Sequence, residues 1–213
     1  MTGFAFGPDA GLPAGYARCA AGTVLYRGHT PGRAPDWFGP ALGAAGTNRF
    51  DAPMRRTAAD AGVCYLAERI DGVLLERVLR GVWRPLISRR TLGRDHALAT
   101  ARVDRDLVLL DLLVALSTVH GLELADVSAP PIPRAVPPYP HTQALAAQWA
   151  AASHPVPSVD GIVYGSRFGP AAVCVALWDR ARGALAWGPS VPFEADMPAL
   201  AAACERLGIG LVT

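Results

Sequence analysis

The chain contains no lysine; all 20 of its basic residues are arginine. That absence removes whole reaction classes. Without a lysine amine there is no Schiff base and no P-loop lysine to reach a triphosphate, so aldolase, pyridoxal phosphate and Walker-type chemistry are excluded. Metal-clip spacing is missing as well. The four cysteines (Cys19, Cys64, Cys174, Cys204) and the five histidines are scattered, with no CxxC, HExxH or HxH pair, so no metal site and no structural zinc are expected. The longest apolar stretch, around Leu107 to Leu116, is short and interrupted by Asp111, so no membrane span is expected. Lys/Arg-rich runs are absent, and 20 basic against 18 acidic residues leave a net charge of +2, which argues against direct nucleic-acid binding. The opening Met-Thr-Gly-Phe-Ala-Phe-Gly-Pro lacks a positive region, so no signal peptide and a cytoplasmic protein with reduced thiols are expected.

What is present is a chain of 213 residues, 51% hydrophobic and 18% charged, enough for one well-cored domain. Gly 22 and Pro 19 mark it as loop-rich. Residues 1–22 read as an irregular arm before a domain over 23–213. Strand signals are Thr23–Gly28, Val63–Ala67, Ala99–Val103, Leu107–Leu110, Gly161–Arg167 and Ala172–Trp178, the last two separated by a Gly-Pro turn. Residues 28–48 carry three prolines and five glycines and read as a long surface loop, and 129–140 as a proline-dense connector. Helices are expected from an Asp71 N-cap to about Trp83, over 112–119, over Thr142–Ala152, and over 197–207 before Gly208. In the first of these, Leu75, Val78, Leu79 and Val82 share one face, and Glu76 lies at its margin. The pattern predicts an α+β single domain, a mixed β core of short strands flanked by helices. The large aromatics Trp37, Phe38, Trp83, Trp149, Trp178 and Trp187 are expected mainly in the core.

Four polar residues fall where burial is expected. Arg27 ends a strand beside Tyr26, Arg49 precedes Phe50, Glu76 borders an apolar helix face, and Ser166 sits in a glycine-flanked strand after Tyr164. Each also has an ordinary reading: an edge-strand arginine, a loop cap, a surface Glu76–Arg80 pair at i, i+4, and a turn serine.

Their order narrows the choice. Tyr-Arg-Gly, Asn-Arg-Phe-Asp, Val-Cys-Tyr-Leu-Ala, a glutamate eleven residues after that tyrosine, and Asp-Gly-Ile-Val-Tyr-Gly-Ser-Arg follow one another along the chain. From Thr23 to Trp178 this resembles the RES-domain family, named for its arginine, glutamate and serine. The resemblance implies an ADP-ribosyltransferase-like fold and a reaction on NAD. It implies cleavage by phosphorolysis to ADP-ribose-1″-phosphate, or by hydrolysis to ADP-ribose, in the toxin of a bacterial toxin–antitoxin pair. NAD is then a substrate, inorganic phosphate a possible co-substrate, and no cofactor is implied. The partner implied is a helix-turn-helix antitoxin with a segment that blocks the cleft; the oligomeric state stays open. Transfer of ADP-ribose to a protein or small-molecule acceptor, or a non-catalytic binding domain of the same fold, stand as alternatives.

By the same resemblance the functional positions are Arg27, Arg49, Tyr65, Glu76 and Ser166, with Tyr26 a weaker match beside the pocket. Nicotinamide leaves as a neutral molecule, so no acid need protonate it and one carboxylate can suffice. Glu76 would stabilise the oxocarbenium-like ribosyl cation. Arg27 and Arg49 would hold the pyrophosphate, Tyr65 would stack on the nicotinamide ring, and Ser166 would align the ribose or the amide. Arg49 or Arg167 would bind an attacking phosphate. The chain departs from the family where two glycines usually precede the second arginine and an asparagine follows the aromatic. Here Thr47-Asn48 and Asp51 stand instead, which puts the rim's shape in question and adds negative charge near the expected pyrophosphate.

Overall fold

Short β-branched and aliphatic runs, bounded by Gly, Asp and Pro, build most of the molecule. The structure is a computed structural model and describes residues 6–8, 11–57, 61–80, 86–114, 123, 127, 138–152, 158–195 and 197–213. Its strands are β1 (Phe6–Pro8), β2 (Tyr16–Cys19), β3 (Val24–His29), β4 (Val63–Ala67), β5 (Leu86–Ser88) and β6 (Ala97–Val103). They continue with β7 (Leu107–Asp111), β8 (Gly161–Ser166), β9 (Gly169–Trp178), β10 (Leu185–Trp187), β11 (Val191–Pro192) and β12 (Gly210–Val212). The helices are α1 (Ile70–Val73), α2 (Arg89–Asp95), α3 (Pro140–Ala151) and α4 (Met197–Arg206). A π-helical turn, Leu74–Val78, continues α1, and a 3-10 turn spans Asp179–Ala184.

One mixed sheet of ten strands runs β1-β2-β7-β8-β9-β4-β3-β6-β10, with β11 also on β6, while β5 and β12 form a small parallel pair. Within the large sheet β7 and β8 are parallel and the other pairs antiparallel. This is the expected α+β single domain.

The sheet is buried on both faces. On β9, Cys174, Ala176 and Trp178 enter one core cluster, which α1 and α4 help to build, and Val173, Val175 and Leu177 enter the other. Side chains alternate across a strand, so a strand covered on both faces becomes apolar almost throughout.

One seam breaks the ladder. β3 pairs with β6 from Val24 to His29, and β4 pairs with β9 from Val63 to Ala67. Between β3 and β4 only Tyr26 and Ala67 are in register. The two strands splay apart from that point, and the sheet opens into a cleft.

Several expectations are corrected here. The part of residues 1–22 that is described is no irregular arm: β1 and β2 extend the sheet from β7, with Tyr16 to Cys19 opposite Leu110 to Leu107. The helix starts at Ile70, and Arg69 is its N-cap; Asp71 is drawn into ion pairs with Arg69 and Arg206 instead of capping. It becomes a π turn at Leu74 and ends at Val78, whereas the expected end near Trp83 lies outside the described residues. Helix α2 interrupts residues 86–110, a stretch whose sequence reads as two or three strands. Leu92 is its one buried side chain, so it has no apolar stripe to read, and the Ser88 hydroxyl caps it by accepting from the Thr91 amide (3.3 Å). The β8–β9 reversal is made by Arg167-Phe168, with Gly169-Pro170 already in β9. Of the expected helix over 112–119, residues 112–114 form a turn and the rest lies outside the described residues, as does most of the connector.

Among the described residues no helix is long and apolar enough to cross a membrane.

Close packing sets the height of α1 and its π turn. A Cβ on Gly72 would lie 2.7 Å from Ala67 Cβ and 3.2 Å from Cys174 Sγ. Gly72→Ala is therefore expected to lift this segment from β4 and β9, costing about 1–3 kcal/mol, as overpacked cores do. Urea unfolding measures it; an unchanged midpoint would show that the helix can slide freely.

Candidate active site

The cleft encloses about 1080 Å³ of empty space, its solvent mouth included. β3 supplies Tyr26, Arg27, Gly28 and His29, β4 supplies Tyr65, and the π turn supplies Glu76 and Arg77. The loop before β4 contributes Arg33, Trp37, Asn48, Arg49 and Asp51; Arg80, Tyr139, Tyr164 and Arg167 complete the walls. Residues far apart in sequence meet because β3 and β4 diverge there and the helix packs across the opening.

Glu76 sits inside the π turn, whose widened backbone ring re-aims a side chain that an α-helix would direct differently. It is half-buried, and its Oε1 is buried without a hydrogen-bond partner. The surface Glu76–Arg80 pair allowed by the sequence is not formed; Arg80 Nη1 donates to Asn48 Oδ1 (2.6 Å) and Nη2 to the Tyr139 hydroxyl (3.2 Å).

Arg49 is buried, with its guanidinium 4.9 Å from the Phe50 ring and 4.7 Å from the Tyr164 ring. Nη1 donates to the Val127 carbonyl (2.6 Å), and Nη2 is buried without a partner. Arg27 is also buried; Nη1 donates to Cys64 Sγ and Nη2 to the Trp37 carbonyl (2.6 Å), tying the loop to β4. Two of its five donors are thereby used.

Charge in the cleft is strongly one-sided. Several arginines elsewhere are paired: Arg18 with Asp106, Arg55 with Asp179, Arg105 with Asp160, Arg206 with Asp71. Among the described residues Arg27, Arg33, Arg49, Arg77 and Arg80 have no carboxylate within ion-pair distance. Desolvation, followed by the charges of Arg33, Arg80 and Arg27, pushes the Arg77 pKa down.

Tyr65 and Asp51 form a fixed wall. The Tyr65 hydroxyl donates to Asp51 Oδ1 (2.9 Å) and accepts from the Phe50 amide (2.9 Å). Burial, then the Asp51 charge, raises the Tyr65 pKa far above its usual value, so it remains a phenol. Asp51 Oδ2 accepts from the Thr47 amide (3.0 Å), the Asn48 amide (2.8 Å) and Asn48 Nδ2 (3.0 Å). The Asp51 charge is thus held by the loop that carries Arg49, and the departures Thr47-Asn48 and Asp51 are parts of one brace.

Burial raises the Asp51 carboxyl above its ordinary 3.8, against the opposing hydrogen bonds from Asn48, Tyr65 and Thr47. The folded state then holds this proton more tightly than the unfolded chain. That advantage is complete below about pH 4 and is lost as pH rises through the raised value. Asp51→Asn, neutral throughout, is expected to gain stability relative to the parent as pH rises from about 4 to 7. Asp51→Ala strands the Tyr65 hydroxyl and two loop amides, at a cost of about 3 kcal/mol. Thermal melts over that pH range test both; parallel curves for the parent and Asp51→Asn would contradict the first.

Two cysteines lie near these residues, Cys64 beside Arg27 and Cys174 in the cleft lining, both buried. Burial pushes Cys64 up to about 11, and burial followed by the Glu76 charge raises Cys174 well above its ordinary value. Burial lowers His29, ahead of the effects of its other neighbours. Its Nδ1 and Nε2 lie 3.1 Å from the Thr30 carbonyl and 2.9 Å from Ser190 Oγ.

The structure thus brings Tyr26, Arg27, Arg49, Tyr65 and Glu76 to one cleft. Ser166 is placed differently: it is buried at the end of β8, accepts from the Phe168 amide (3.2 Å), and does not line the cavity. Its neighbours Tyr164 and Arg167 do. Sequence reasoning missed Arg33, Arg77 and the cleft position of Trp37. Trp37 is 36% exposed, Trp149 and Trp187 are partly buried, and Trp178 and Phe38 are in the core as expected.

The RES domain family model matches residues 24–196. The chain belongs to the RES domain family. The match runs from the start of β3 almost to α4 and spans every candidate residue named above. A search of curated proteins found no match. Among solved structures this RES domain is similar to the crystal structure of the M. tuberculosis MbcT–MbcA toxin–antitoxin complex. The identity is 18% over 86% of this chain and 87% of that chain, with a TM-score of 0.49.

Proposed function

We propose that this RES domain cleaves the bond between nicotinamide and ribose in NAD, passing the ADP-ribosyl group to inorganic phosphate or to water. The observation that carries this reading is Glu76, a cleft-lining carboxylate whose Oε1 has no hydrogen-bond partner, in a cavity where, among the described residues, five arginines have no carboxylate within ion-pair distance. A pyrophosphate-bearing substrate neutralises the arginines, and a ribosyl cation answers the carboxylate.

In the proposed step the ribose–nitrogen bond breaks and its electron pair neutralises the pyridinium, so nicotinamide leaves without a proton. A phosphate or water oxygen then bonds to the anomeric carbon; with water, a proton goes to solvent. Glu76 stabilises the positive charge that develops on the ribose. Tyr65, its hydroxyl fixed, presents its ring to the nicotinamide. Arg27 binds the pyrophosphate. Ser166, below the surface, acts by setting the Arg167–Phe168 turn.

The family resemblance supports a toxin role with a helix-turn-helix antitoxin as partner. Purified protein incubated with NAD, with and without phosphate, tests the chemistry by mass analysis of products. Phosphate-dependent ADP-ribose-1″-phosphate establishes phosphorolysis, and free ADP-ribose in both buffers establishes hydrolysis. Intact NAD in both overturns the reading. Growth arrest with falling NAD on expression, relieved by co-expressing a helix-turn-helix protein encoded beside it, tests the toxin role.

A further inference from the structure

Arg33, Trp37 and Arg77 line the same cleft, and none of them has been given a position on the substrate in the step just described. Thr30-Pro31-Gly32-Arg33 is a tight turn: the Arg33 amide donates to the Thr30 carbonyl (3.1 Å), Pro31 holds the second position, and Gly32 has φ +79°. This is the signature of a type II turn. It sets the Arg33 guanidinium 4.6 Å from the centre of the Trp37 ring. The ring in turn lies on Gly39, where a Cβ would come within 2.1 Å of Trp37 Cη2. Arg77 reaches the same turn, its Nη2 donating to Thr30 Oγ1 (2.7 Å). Arg77 is seated over Gly28, where a Cβ would come 3.2 Å from its Cγ. Arg33 and Arg77 have no carboxylate partner among the described residues. Trp37 lines the cavity and stays exposed, whereas Trp178 is buried.

A stacked arginine–tryptophan pair beside a second, unneutralised arginine has the chemistry of a nucleotide site. A flat base packs on the guanidinium–indole stack, and the adjacent cation takes a phosphate. We infer that Arg33 and Trp37 form the shelf for the purine of the substrate, with Arg77 on the adjoining phosphate. Arg27, which donates to the Trp37 carbonyl, stands at the edge of this shelf and leads from it toward Tyr65 and Glu76. The dinucleotide therefore lies with its purine on the β3-to-β4 loop and its nicotinamide against β4 and the π turn. The orientation rests on the proposed NAD reaction; the shelf itself requires only a purine nucleotide.

The test uses ADP and nicotinamide mononucleotide as probes of the two ends, titrated calorimetrically into the whole protein, with NAD cleavage assayed in parallel. Trp37→Ala is expected to weaken ADP about tenfold and leave nicotinamide mononucleotide unchanged. Trp37→Phe should restore most of the ADP affinity. Arg33→Ala should weaken ADP as Trp37→Ala does. Equal ADP affinity in the parent and Trp37→Ala, while NAD is still cleaved, would overturn the shelf and leave the reaction standing. Equal weakening of both probes would also overturn it, as a loss of loop shape. ADP binding that depends on Trp37, in a protein that leaves NAD intact, would support the shelf and overturn the reaction.

Discussion

Glu76→Gln is expected to lower NAD cleavage at least about a hundredfold, the scale of losing one group that stabilises transition-state charge. The loss should fall on kcat, with KM little changed, because in the proposed reaction the carboxylate is matched to a charge that appears only as the glycosidic bond breaks. Stability should not suffer. Glu76 Oε1 has no hydrogen bond to lose, and the π turn is held by backbone contacts, with the Leu79 amide donating to the Leu74 carbonyl (2.9 Å). Replacing an unpaired, half-buried charge by a neutral amide of the same shape removes a desolvation cost. The thermal midpoint should stay within about 2 °C, or rise, which corresponds to less than about 1 kcal/mol. Steady-state kinetics and calorimetric melts check this. A fully active variant would remove Glu76 from the chemistry, and an unfolded one would make it a structural residue.

Arg49→Met should raise KM for NAD at least about tenfold while leaving the fold as stable as before, within about 1 kcal/mol. Three terms meet at this side chain. Burial of the cation costs several kcal/mol, while the ring contacts with Phe50 and Tyr164 and the bond to the Val127 carbonyl offset about 2–5 kcal/mol between them. Methionine keeps the volume between the rings and removes the desolvation cost, so the balance stays near zero. In the proposed reaction the unpartnered Nη2 is the donor that the substrate loses. Arg49→Lys should fail to restore KM, since an ammonium cannot spread between two rings and still donate in two directions. A stability loss above about 3 kcal/mol, with KM unaltered, would instead make Arg49 a pillar of the core.

Both predictions concern charges kept buried and unpaired at some cost to stability, a trade made where a ligand later supplies the partner. The Asp51 brace shows the opposite arrangement. A charge that sequence comparison places near the pyrophosphate is instead engaged by the Thr47 and Asn48 amides, the Asn48 side chain and Tyr65. Its replacement should therefore be felt in stability and pH dependence before activity.

Strands β3, β4, β8 and β9 and helix α4 were legible locally. Each has its period of apolar residues and a marked end, such as Gly208 at φ +65° after α4. Arg27, Arg49 and Glu76 each had an ordinary local reading; only their order along the chain singled them out, and the structure brings the three to one cleft. Helix α2 was not legible, having one buried side chain and a serine cap in place of a stripe. Nor were β1 and β2, whose place beside β7 comes from pairing across some ninety residues. Arg33 and Arg77 look like ordinary surface arginines in a linear reading. Only the splay of β3 from β4 and the π turn bring them to one cavity with Arg27. Local pattern determines which face of an element turns inward, because that depends on neighbours two to four residues away. Which faces then meet, and whether a ladder closes or opens at Tyr26 and Ala67, depends on contacts between distant segments, and those contacts built the cleft.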